Sequence, residues 1–403
     1  PTIFLPEHPS TTSPAMNRRC AFSLLLSFLA VAIVLASLIL WAGHRDDHHA
    51  AAPRSGSAAE KFFRRVPAME ERGPLEGAIP ALYVFGDSLV DAGNNNFLNT
   101  PAKADRPPYG IDFHGNPNGR FTNGRTHADF LAQLAGLPFP PPYEGLSEAE
   151  KKNTTTGMNF GSASCGILPK TGGNIGSCLF LERQIELFEF TAEEGLQGKF
   201  KGPQQVKAHL ANALFLINMG SNDYMINYME SPQLQALFDP TAFARHLSDR
   251  LVNRIERLHK IGARKFMVAN IGPLGCALKF YKTKKQCDAQ VNAMVSEYNS
   301  LLSAKLSRLQ STHQGFTFSL FNTYNFSMNA LKNSQQFGIP NPWIPCFTSE
   351  EPGVVCEDRD KYLSFDGAHP TQTIHFNVIK SCFLDPSICT PLTLSQLLLP
   401  PPP

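Results

Sequence analysis

Three side chains in two distant stretches of the sequence could together carry out acyl transfer. Ser88 stands in the stretch FGDSLVDAGNN (residues 85–95), and Asp366 and His369 stand in FDGAHPT (residues 365–371). A serine hydroxyl becomes an effective nucleophile when a neighbouring base takes its proton, and an imidazole is suited to that task. An acid that accepts from the other ring nitrogen fixes the tautomer of the imidazole and stabilises its protonated form. We therefore predict that Ser88 is a catalytic nucleophile, His369 its general base and Asp366 the acid.

Each of these motifs has an ordinary alternative explanation when it is taken alone. An Asp-x-x-His is more often a helix cap or a stray metal-binding pair, and a serine after a strand is usually a turn residue. The coupling of the two motifs favours catalysis over both alternatives. Asp87 and Asp91 could also be proposed as the acid, but we interpret them as local hydrogen-bonding residues that shape the turn around Ser88.

The pattern of apolar residues predicts the elements that must position these groups. From residue 79 onward, short apolar runs that are typical of buried strands alternate with segments of helical period, of which residues 243–258 and 291–302 are the clearest. The predicted strands are residues 79–85, 158–160, 214–219, 265–271 and 316–321. Alternating strands and helices indicate a parallel sheet with helices on both faces.

Small polar turns follow the first three predicted strands, at residues 86–88, 161–164 and 220–223. In a parallel sheet of this class, ligands bind beyond the carboxyl ends of the strands. Because these three turns leave the sheet at the same edge, we expect them to surround one site.

The N-terminal part of the sequence predicts a targeting segment. Arg18 and Arg19 follow Met16, and an uncharged run dominated by Leu, Val, Ile, Ala and Phe extends over residues 20–43. This pattern is typical of a signal peptide or a signal anchor, and either would carry the rest of the chain across a membrane. We expect a secreted, extracellular protein or, if the segment is not cleaved, an endomembrane-anchored protein with a luminal catalytic domain.

The predicted organisation has five parts. They are an upstream or non-native segment at residues 1–15, the signal peptide or signal anchor at 16–43, a linker at 44–78, one catalytic domain at 79–390 and a tail at 391–403.

Cysteine usage agrees with an oxidising compartment. Apart from Cys20 in the apolar run, eight of the nine cysteines remain, and an even number suits disulfides. We predict pairing within four sequence-near couples, which are Cys165 with Cys178, Cys276 with Cys287, Cys346 with Cys356, and Cys382 with Cys389. None of them has the spacing of a zinc site. Asn153 and Asn325 begin N-x-Ser/Thr sequons, and because export is predicted we expect both to be glycosylated.

Composition and charge argue against several partners. The 403 residues are 42% hydrophobic and 17% charged, which is ordinary for a folded protein. The net charge is +2 and the longest basic patch is residues 282–285, so no nucleic-acid partner is predicted. The sequence has no P-loop or dinucleotide fingerprint, and the predicted chemistry uses no cofactor and no metal. A membrane is an expected partner through the N-terminal segment alone, if it stays uncleaved, and the sequence indicates no oligomeric state.

The motifs together resemble those of the plant GDSL esterase/lipase family of the SGNH hydrolase superfamily. The resemblance covers roughly residues 79–389 and rests on FGDSLVDAGNN, GSND (residues 220–223), NIGPLGC (residues 270–276) and DGAHPT in this order. It implies a flavodoxin-like, three-layer α/β/α sandwich with a mainly parallel five-stranded sheet. It also implies a serine esterase or lipase that hydrolyses carboxylic esters of lipids, polysaccharides or small molecules without a cofactor.

The resemblance further implies an oxyanion hole made of three donors. These are the backbone N–H of Ser88, a backbone N–H after the second predicted strand and the side-chain amide of Asn222. The second donor corresponds to Ser164, where the family usually has glycine, and Gly161 and Gly166 are the alternatives. A serine can serve there if its backbone φ is permitted. For Asn222 the ordinary alternative is an Asx turn.

Two other functions are compatible with the same motifs. An acyltransferase similar to a cutin synthase would use the same site to pass the acyl group to a hydroxyl of a lipid, cutin monomer or sugar. A secreted binding or modifier protein could keep the hydrolase fold without turnover. The class of typical α/β-hydrolases is disfavoured, because Ser88 lacks the G-x-S-x-G elbow and because Asp366 and His369 share one tetrapeptide.

Overall fold

The computed structural model describes residues 58–68, 70–114, 116–284, 286–348 and 354–399. The upstream segment predicted at residues 1–15 and the targeting segment predicted at residues 16–43 lie outside the described residues. No helix in the described part of the chain combines the length and apolar composition that crossing a membrane requires.

A five-stranded sheet forms the centre of the described unit. In spatial order its strands are β1 Leu82–Gly86, β2 Leu214–Asn218, β3 Lys265–Ala269, β4 Thr317–Phe321 and β5 Cys389–Pro391. Strands β1 to β4 are parallel, so that Leu82, Leu214, Lys265 and Thr317 stand side by side. Strand β5 runs antiparallel to β4. The prediction of a mainly parallel sheet is confirmed.

Helices connect the strands and cover both faces of the sheet. The α-helices of the described part are α1 Ala58–Phe62, α2 His127–Leu134, α3 Glu148–Asn153, α4 Leu181–Phe190, α5 Pro203–Asn212, α6 Pro232–Leu237, α7 Pro240–Ile261, α8 Leu278–Lys284, α9 Ala289–Thr312, α10 Thr323–Lys332, α11 Gln372–Leu384 and α12 Leu394–Leu398. The two helical periods expected from the sequence fall within α7 and α9.

The sequence of α7 shows how its bounds are set. The side chain of Asp239 accepts a hydrogen bond from the Ala242 N–H at 2.8 Å, which satisfies one of the free donors at the start of the helix. Pro240 takes the first helical position, where its fixed φ fits and its missing N–H is not needed. Gly262 follows the last turn with φ 143°, a conformation that favours glycine.

Alternate strand residues build two apolar layers. Successive side chains of a strand point to opposite faces. Tyr83 and Phe85 of β1 belong to a buried cluster with residues of α4, α5, α7 and α9, whereas Leu82 and Val84 belong to a second cluster with residues of α2, α10 and α11. The result is the three-layer α/β/α sandwich that the resemblance implied.

The predicted strand at residues 158–160 is not a strand of the sheet. The Val84 N–H donates to the carbonyl of Met158 at 3.0 Å, and the Phe160 N–H donates to the carbonyl of Val84 at 2.8 Å. The segment therefore follows the free edge of β1, but its pairing with β1 is a single bridge. The fifth place in the sheet is taken by β5, whose three residues include a proline and do not form an apolar run.

The packed unit extends beyond both ends of the domain predicted from the sequence. Phe62 and Phe63, within the predicted linker at residues 44–78, are 2% and 3% exposed. Leu394, within the predicted tail at residues 391–403, is fully buried. Short apolar clusters of this kind carry no periodicity, so the sequence did not distinguish them from a linker or a tail.

Four disulfides confirm the predicted pairing within each couple. They are Cys165–Cys178, Cys276–Cys287, Cys346–Cys356 and Cys382–Cys389. Asn153 and Asn325, the first residues of the two sequons, are exposed.

Candidate active site

Ser88 lies on the turn directly after β1. At Gly86 the chain passes so close to β2 that a Cβ would lie 2.3 Å from the carbonyl oxygen of Asn218, and glycine is therefore required. The carboxylate of Asp87 accepts from the Leu89 N–H at 3.1 Å. Asp87 thus shapes the turn, as predicted, and Ser88 is left at the carboxyl edge of the sheet.

Asp366 and His369 share one loop that ends where α11 begins. The N–H of the fully buried Phe365 donates to the carbonyl of His369 at 2.7 Å, which closes the loop on itself. Gly367 has φ 89°, and its N–H donates to the hydroxyl of Ser364 at 2.8 Å. The backbone of the loop therefore fixes the positions from which both side chains project.

A continuous chain of hydrogen bonds joins the three residues predicted to be catalytic. The Oγ of Ser88 lies 2.8 Å from the Nε2 of His369, and the Nδ1 of the same ring lies 2.7 Å from the Oδ2 of Asp366. The Oδ1 of Asp366 accepts from the N–H groups of Ala368 at 3.0 Å and His369 at 2.8 Å. In this arrangement Nδ1 carries its proton toward the carboxylate, and Nε2 can accept the proton of the serine.

The surroundings keep Asp366 ionised and favour a protonated His369. Burial raises the pKa of Asp366, but the charge of His369, its hydrogen bond and two backbone N–H groups lower this pKa by more. The net pKa is about 2. Burial lowers the pKa of His369, but the charge and hydrogen bond of Asp366 raise it above its usual value. A protonated imidazolium at His369 is therefore stabilised at this site.

Tyr109 also contacts the Asp366 carboxylate, and the sequence does not predict this contact. Its hydroxyl donates to Oδ2 at 2.8 Å, the oxygen that also faces His369. The Tyr109 ring packs edge-on against Phe365 with ring centres 5.7 Å apart. Tyr109 and Asp366 are 257 positions apart in the sequence, and no spacing or period connects them.

We expect Tyr109→Phe to lower kcat about tenfold with little change in KM, because a hydrogen bond to a charged group that contributes about 1.5–3 kcal/mol no longer orients Asp366. Without this donor, Oδ2 is a stronger partner for the imidazole, so the midpoint of the pH profile should move upward. Steady-state kinetics across pH measure both effects. Tyr362→Phe, which removes a hydroxyl that is not bonded to Asp366, is the control. A loss of thermal stability with kcat and the midpoint unchanged would indicate a purely structural tyrosine.

Two buried carboxylates hold the turn that contains Ser164. Asp91 accepts from the Ala163 N–H at 3.1 Å and from two N–H groups of its own turn, as predicted. Asp223 accepts from the N–H groups of Ile167 at 2.8 Å and Leu168 at 3.0 Å. Burial raises the pKa of each carboxyl group to about 6, although the backbone donors act in the opposite direction. The segments that follow β1 and β2 are thereby tied to the chain on either side of Ser164.

Ser164 and Asn222 lie together with Ser88 and His369 in the lining of one cavity. Ser164 has φ 65°, in the left-handed region that glycine adopts freely and serine adopts at an energetic cost. The side-chain amide of Asn222 donates one of its two hydrogens to the carbonyl of Cys165 at 2.9 Å. This bond fixes the orientation of the Asn222 amide.

The two alternative donors, Gly161 and Gly166, are placed differently. Both residues are described in the structure, and neither is part of the cavity lining. The Gly161 N–H already donates to the side-chain oxygen of Asn159 at 2.8 Å. Of the three candidate residues, Ser164 is the one that lines the cavity.

The cavity has a volume of about 640 Å³, in the range of pockets that bind small molecules. Most of its lining side chains are apolar. In the part of the chain that the structure describes, no group of three or more His, Cys, Asp or Glu side chains is arranged to hold a metal ion.

Comparison with known proteins identifies the family. Residues 82–380 match the family model described as GDSL-like Lipase/Acylhydrolase. The chain belongs to this family. It is 37% identical over 344 residues to the protein GDSL esterase/lipase At2g04020 of Arabidopsis thaliana, across 81% of this chain and 92% of the relative.

Two further Arabidopsis thaliana relatives agree with the GDSL assignment. The chain is 33% identical over 397 residues to GDSL esterase/lipase At1g71691, across 94% of this chain and 98% of the relative. It is 36% identical over 324 residues to GDSL esterase/lipase 7, across 75% and 87%. The resemblance to plant GDSL enzymes is confirmed, and this GDSL protein is a carboxylic ester hydrolase of the SGNH type that acts on an ester substrate.

Proposed function

We propose that this GDSL esterase/lipase hydrolyses its ester in two steps through an acyl-enzyme on Ser88. The observation that supports the proposal best is the run of hydrogen bonds from Asp366 through His369 to Ser88, which ends in a cavity able to hold an ester. The nucleophile, the base and the oxyanion donors are all protein groups, so the mechanism uses no cofactor.

In the first step the Oγ of Ser88 attacks the carbonyl carbon of the ester while its proton passes to the Nε2 of His369. The tetrahedral intermediate then collapses, the bond to the alcohol oxygen breaks, and the imidazolium gives its proton to the departing alcohol. In the second step water attacks the acyl-enzyme and gives its proton to His369. The carboxylic acid product leaves as His369 returns the proton to the Oγ of Ser88. Asp366 holds the imidazole throughout and stabilises its charge.

The oxyanion of each tetrahedral intermediate is proposed to accept from three donors. They are the backbone N–H of Ser88, the backbone N–H of Ser164 and the second amide hydrogen of Asn222. The position of Ser164 and Asn222 in the same cavity lining as Ser88 supports this role. Losing one such donor typically lowers kcat by about 10²–10³-fold.

A fluorophosphonate that reacts with activated serines tests the mechanism. We expect one phosphonyl group on Ser88, located by peptide mass spectrometry, together with loss of p-nitrophenyl ester hydrolysis. Ser88→Ala should prevent labelling, whereas Ser221→Ala, which removes another serine of the same cavity lining, should not. Hydrolysis that survives complete labelling of Ser88 would refute the proposal. With an added alcohol, a preponderance of transesterified product would favour the acyltransferase instead.

We expect kcat/KM to rise with pH through a midpoint above 6.5 and to level off at mildly alkaline pH. Burial lowers the pKa of His369, but Asp366 raises it by more, so the net pKa lies above the usual 6.5. Because the neutral ring alone can take the Ser88 proton, activity appears as His369 loses its proton with rising pH. Initial rates on a non-ionising ester between pH 5 and pH 9 measure the midpoint. A midpoint well below 6.5 would contradict this electrostatic account.

We also propose that the enzyme is exported and glycosylated. Four disulfides in the described part of the chain suit an oxidising compartment, and Asn153 and Asn325 are exposed. Protein from a secretory host should lose mass on N-glycosidase treatment, and Asn153→Gln and Asn325→Gln should each remove one glycan. An unchanged mass after the treatment would argue against glycosylation.

A further inference from the structure

Ser164 combines two features that each cost free energy. Its φ of 65° lies in the left-handed region, which strains a residue with a Cβ and suits glycine. Its hydroxyl oxygen is buried and has no hydrogen-bond partner in the described part of the chain. A buried hydroxyl without a partner destabilises a fold. Glycine would remove both costs, so the stability of the turn does not explain the serine.

The backbone on both sides of Ser164 is bonded to side chains from other parts of the chain. The carbonyl of Ala163 accepts from the side-chain amide of Asn95 at 3.1 Å. The carbonyl of Cys165 accepts from the amide of Asn222 at 2.9 Å, and Cys165 is also half of a disulfide. None of these bonds uses the Ser164 side chain, so a change of that side chain leaves them in place.

The two features together distinguish Ser164 from the other hydroxyl-bearing residues around it. Ser162, two positions earlier, donates from its Oγ to the Oδ1 of Asn95 at 2.6 Å and accepts from the N–H of Leu179 at 3.0 Å. Thr323, at the start of α10, is the other cavity-lining residue in the described part of the chain with an unpaired buried hydroxyl, but its φ is not left-handed. Ser164 is therefore the residue of the described cavity lining in which both features coincide.

Hydrogen bonds connect the turn that contains Ser164 to the segments of the other two proposed oxyanion donors. The N–H two positions before Ser164 donates to the carbonyl of Gly86 at 3.0 Å, and Gly86 lies two residues before Ser88. The carbonyl directly after Ser164 is the one that accepts from Asn222. Ser88, Ser164 and Asn222 all line the cavity. The side chain of Ser164 thus projects from the segment that is proposed to bind the oxyanion.

We propose that the hydroxyl of Ser164 is a fourth oxyanion donor, which makes Ser164 a catalytic residue through its side chain as well as its backbone. This inference rests on the proposed function, because the oxyanion forms when Ser88 attacks the ester. The Oγ and the backbone nitrogen of Ser164 are three bonds apart, and in a gauche rotamer both can donate to one oxygen. The hydroxyl keeps its proton, so no covalent bond of Ser164 forms or breaks.

The unpaired state of the Ser164 hydroxyl suits this role. A hydroxyl that is already bonded to a protein group would lose that bond when it turns to the oxyanion, whereas the Ser164 hydroxyl loses none. A hydrogen bond to a charged oxygen is stronger than one to a neutral carbonyl. The hydroxyl should therefore stabilise the transition state more than the bound ester, which raises kcat and leaves KM nearly unchanged.

Ser164→Gly tests the hydroxyl separately from the backbone donor, because it keeps the N–H, suits the φ of 65° and removes Oγ. We expect kcat to fall about tenfold to a hundredfold, as for the loss of a hydrogen bond to a charged group, with little change in KM. The melting temperature should rise, because both costs are removed. The midpoint of the pH profile should stay the same, because the Ser164 hydroxyl is not bonded to His369. Steady-state kinetics across pH and thermal unfolding measure these effects.

Two further variants serve as controls. Ser164→Ala keeps the Cβ and its strain, and it should show the same fall in kcat. His114→Gly relieves a left-handed φ of 53° at an exposed residue outside the cavity lining, so it should raise the melting temperature and leave kcat unchanged. A Ser164→Gly enzyme within about twofold of the wild-type kcat would overturn the proposal, whether or not Ser164→Ala folds. A fall in kcat in one of two folded Ser164 variants alone would also overturn it, because turn geometry would then explain the effect.

The fluorophosphonate distinguishes this inference from the proposed mechanism. The phosphonyl oxygen occupies the oxyanion position during attack, so Ser88 in the Ser164→Gly protein should be labelled completely but about tenfold to a hundredfold more slowly than in wild type. Equal labelling rates in the two proteins would refute the role of the Ser164 hydroxyl and leave Ser88 as the nucleophile. A wild-type protein that is not labelled at Ser88 would refute the two-step mechanism, and the role of the Ser164 hydroxyl with it.

Discussion

Replacing Asp366 by asparagine is expected to lower kcat about ten-thousandfold with a small change in KM. The Oδ2 of Asp366 accepts from the Nδ1 of His369, and an amide in its place can present a hydrogen donor to that nitrogen and stabilise the wrong tautomer. The lost charge also removes the interaction that raises the pKa of His369. Both changes weaken proton transfer from Ser88 and leave the shape of the cavity intact.

The Asp366→Asn effect is measured by steady-state kinetics on one ester, with circular dichroism to show that the fold is retained. Asp358→Asn is the matched control, because Asp358 precedes the same loop and is exposed. The control should keep wild-type kcat. An Asp366→Asn enzyme within tenfold of wild type would mean that another group orients His369.

The second large effect, on stability, is expected at Asp129 in the first turn of α2. Its two carboxylate oxygens accept from the guanidinium of Arg120 at 2.7 and 2.8 Å, and both residues are buried. The same carboxylate accepts from the Thr126 N–H at 2.8 Å. Asn123 lies between Arg120 and Asp129 in the sequence. Its side-chain oxygen accepts from the N–H of Gln372, the first residue of α11, at 2.8 Å. The ion pair thus stabilises a segment that bonds to the start of α11, where the loop with Asp366 and His369 ends.

Asp129→Ala is expected to lower the free energy of unfolding by about 3–5 kcal/mol at pH 7, because Arg120 would stay buried without its partner. Burial raises the pKa of Asp129, but Arg120 lowers this pKa by a larger amount, so the net pKa lies below its usual 3.8. A carboxylate of this kind stabilises the fold above its unfolded pKa and loses that contribution as pH falls through the folded pKa.

Urea unfolding at pH 7 and pH 3 measures the effect of Asp129→Ala, and the difference from wild type should be smaller at pH 3. Glu186→Ala is the control, because it breaks an exposed ion pair with Arg183 and should change the free energy of unfolding by less than about 1 kcal/mol. Equal effects of the two substitutions would contradict the role assigned to the buried pair.

The sequence predicted the parts of the fold and site that depend on local patterns. Helices α7 and α9 carry continuous amphipathic periods, and strands β1 to β4 are apolar runs bounded by polar turns. The turn around Ser88 and the loop with Asp366 and His369 are short motifs, so their residue types could be read directly. Because parallel strands bring their carboxyl ends together, the sequence also predicted that the turn around Ser88 lies near the turn at residues 220–223. The loop with Asp366 and His369 follows no parallel strand directly, so its position was predicted from its chemistry alone.

Features that depend on tertiary contacts could not be predicted in this way. Tyr109 reaches Asp366 across 257 positions, and no local pattern marks that contact. Strand β5 has three residues and exists because β4 offers it an edge to pair with. Ser164 has a left-handed φ in a segment that is bonded to Asp91 and Asp223, and those partners come from other parts of the chain.

The order of the proposed catalytic residues along the chain has a consequence for biosynthesis. His369 follows Ser88 by 281 positions. At translation rates of about 5–20 residues per second, Ser88 emerges on the order of 15–60 s before His369. Helix α11, which follows the base, packs through Phe376 against Phe63 near the N-terminal end of the described unit, with ring centres 5.9 Å apart. Nascent chains would therefore lack esterase activity during synthesis, and activity would begin once α11 has packed against Phe63.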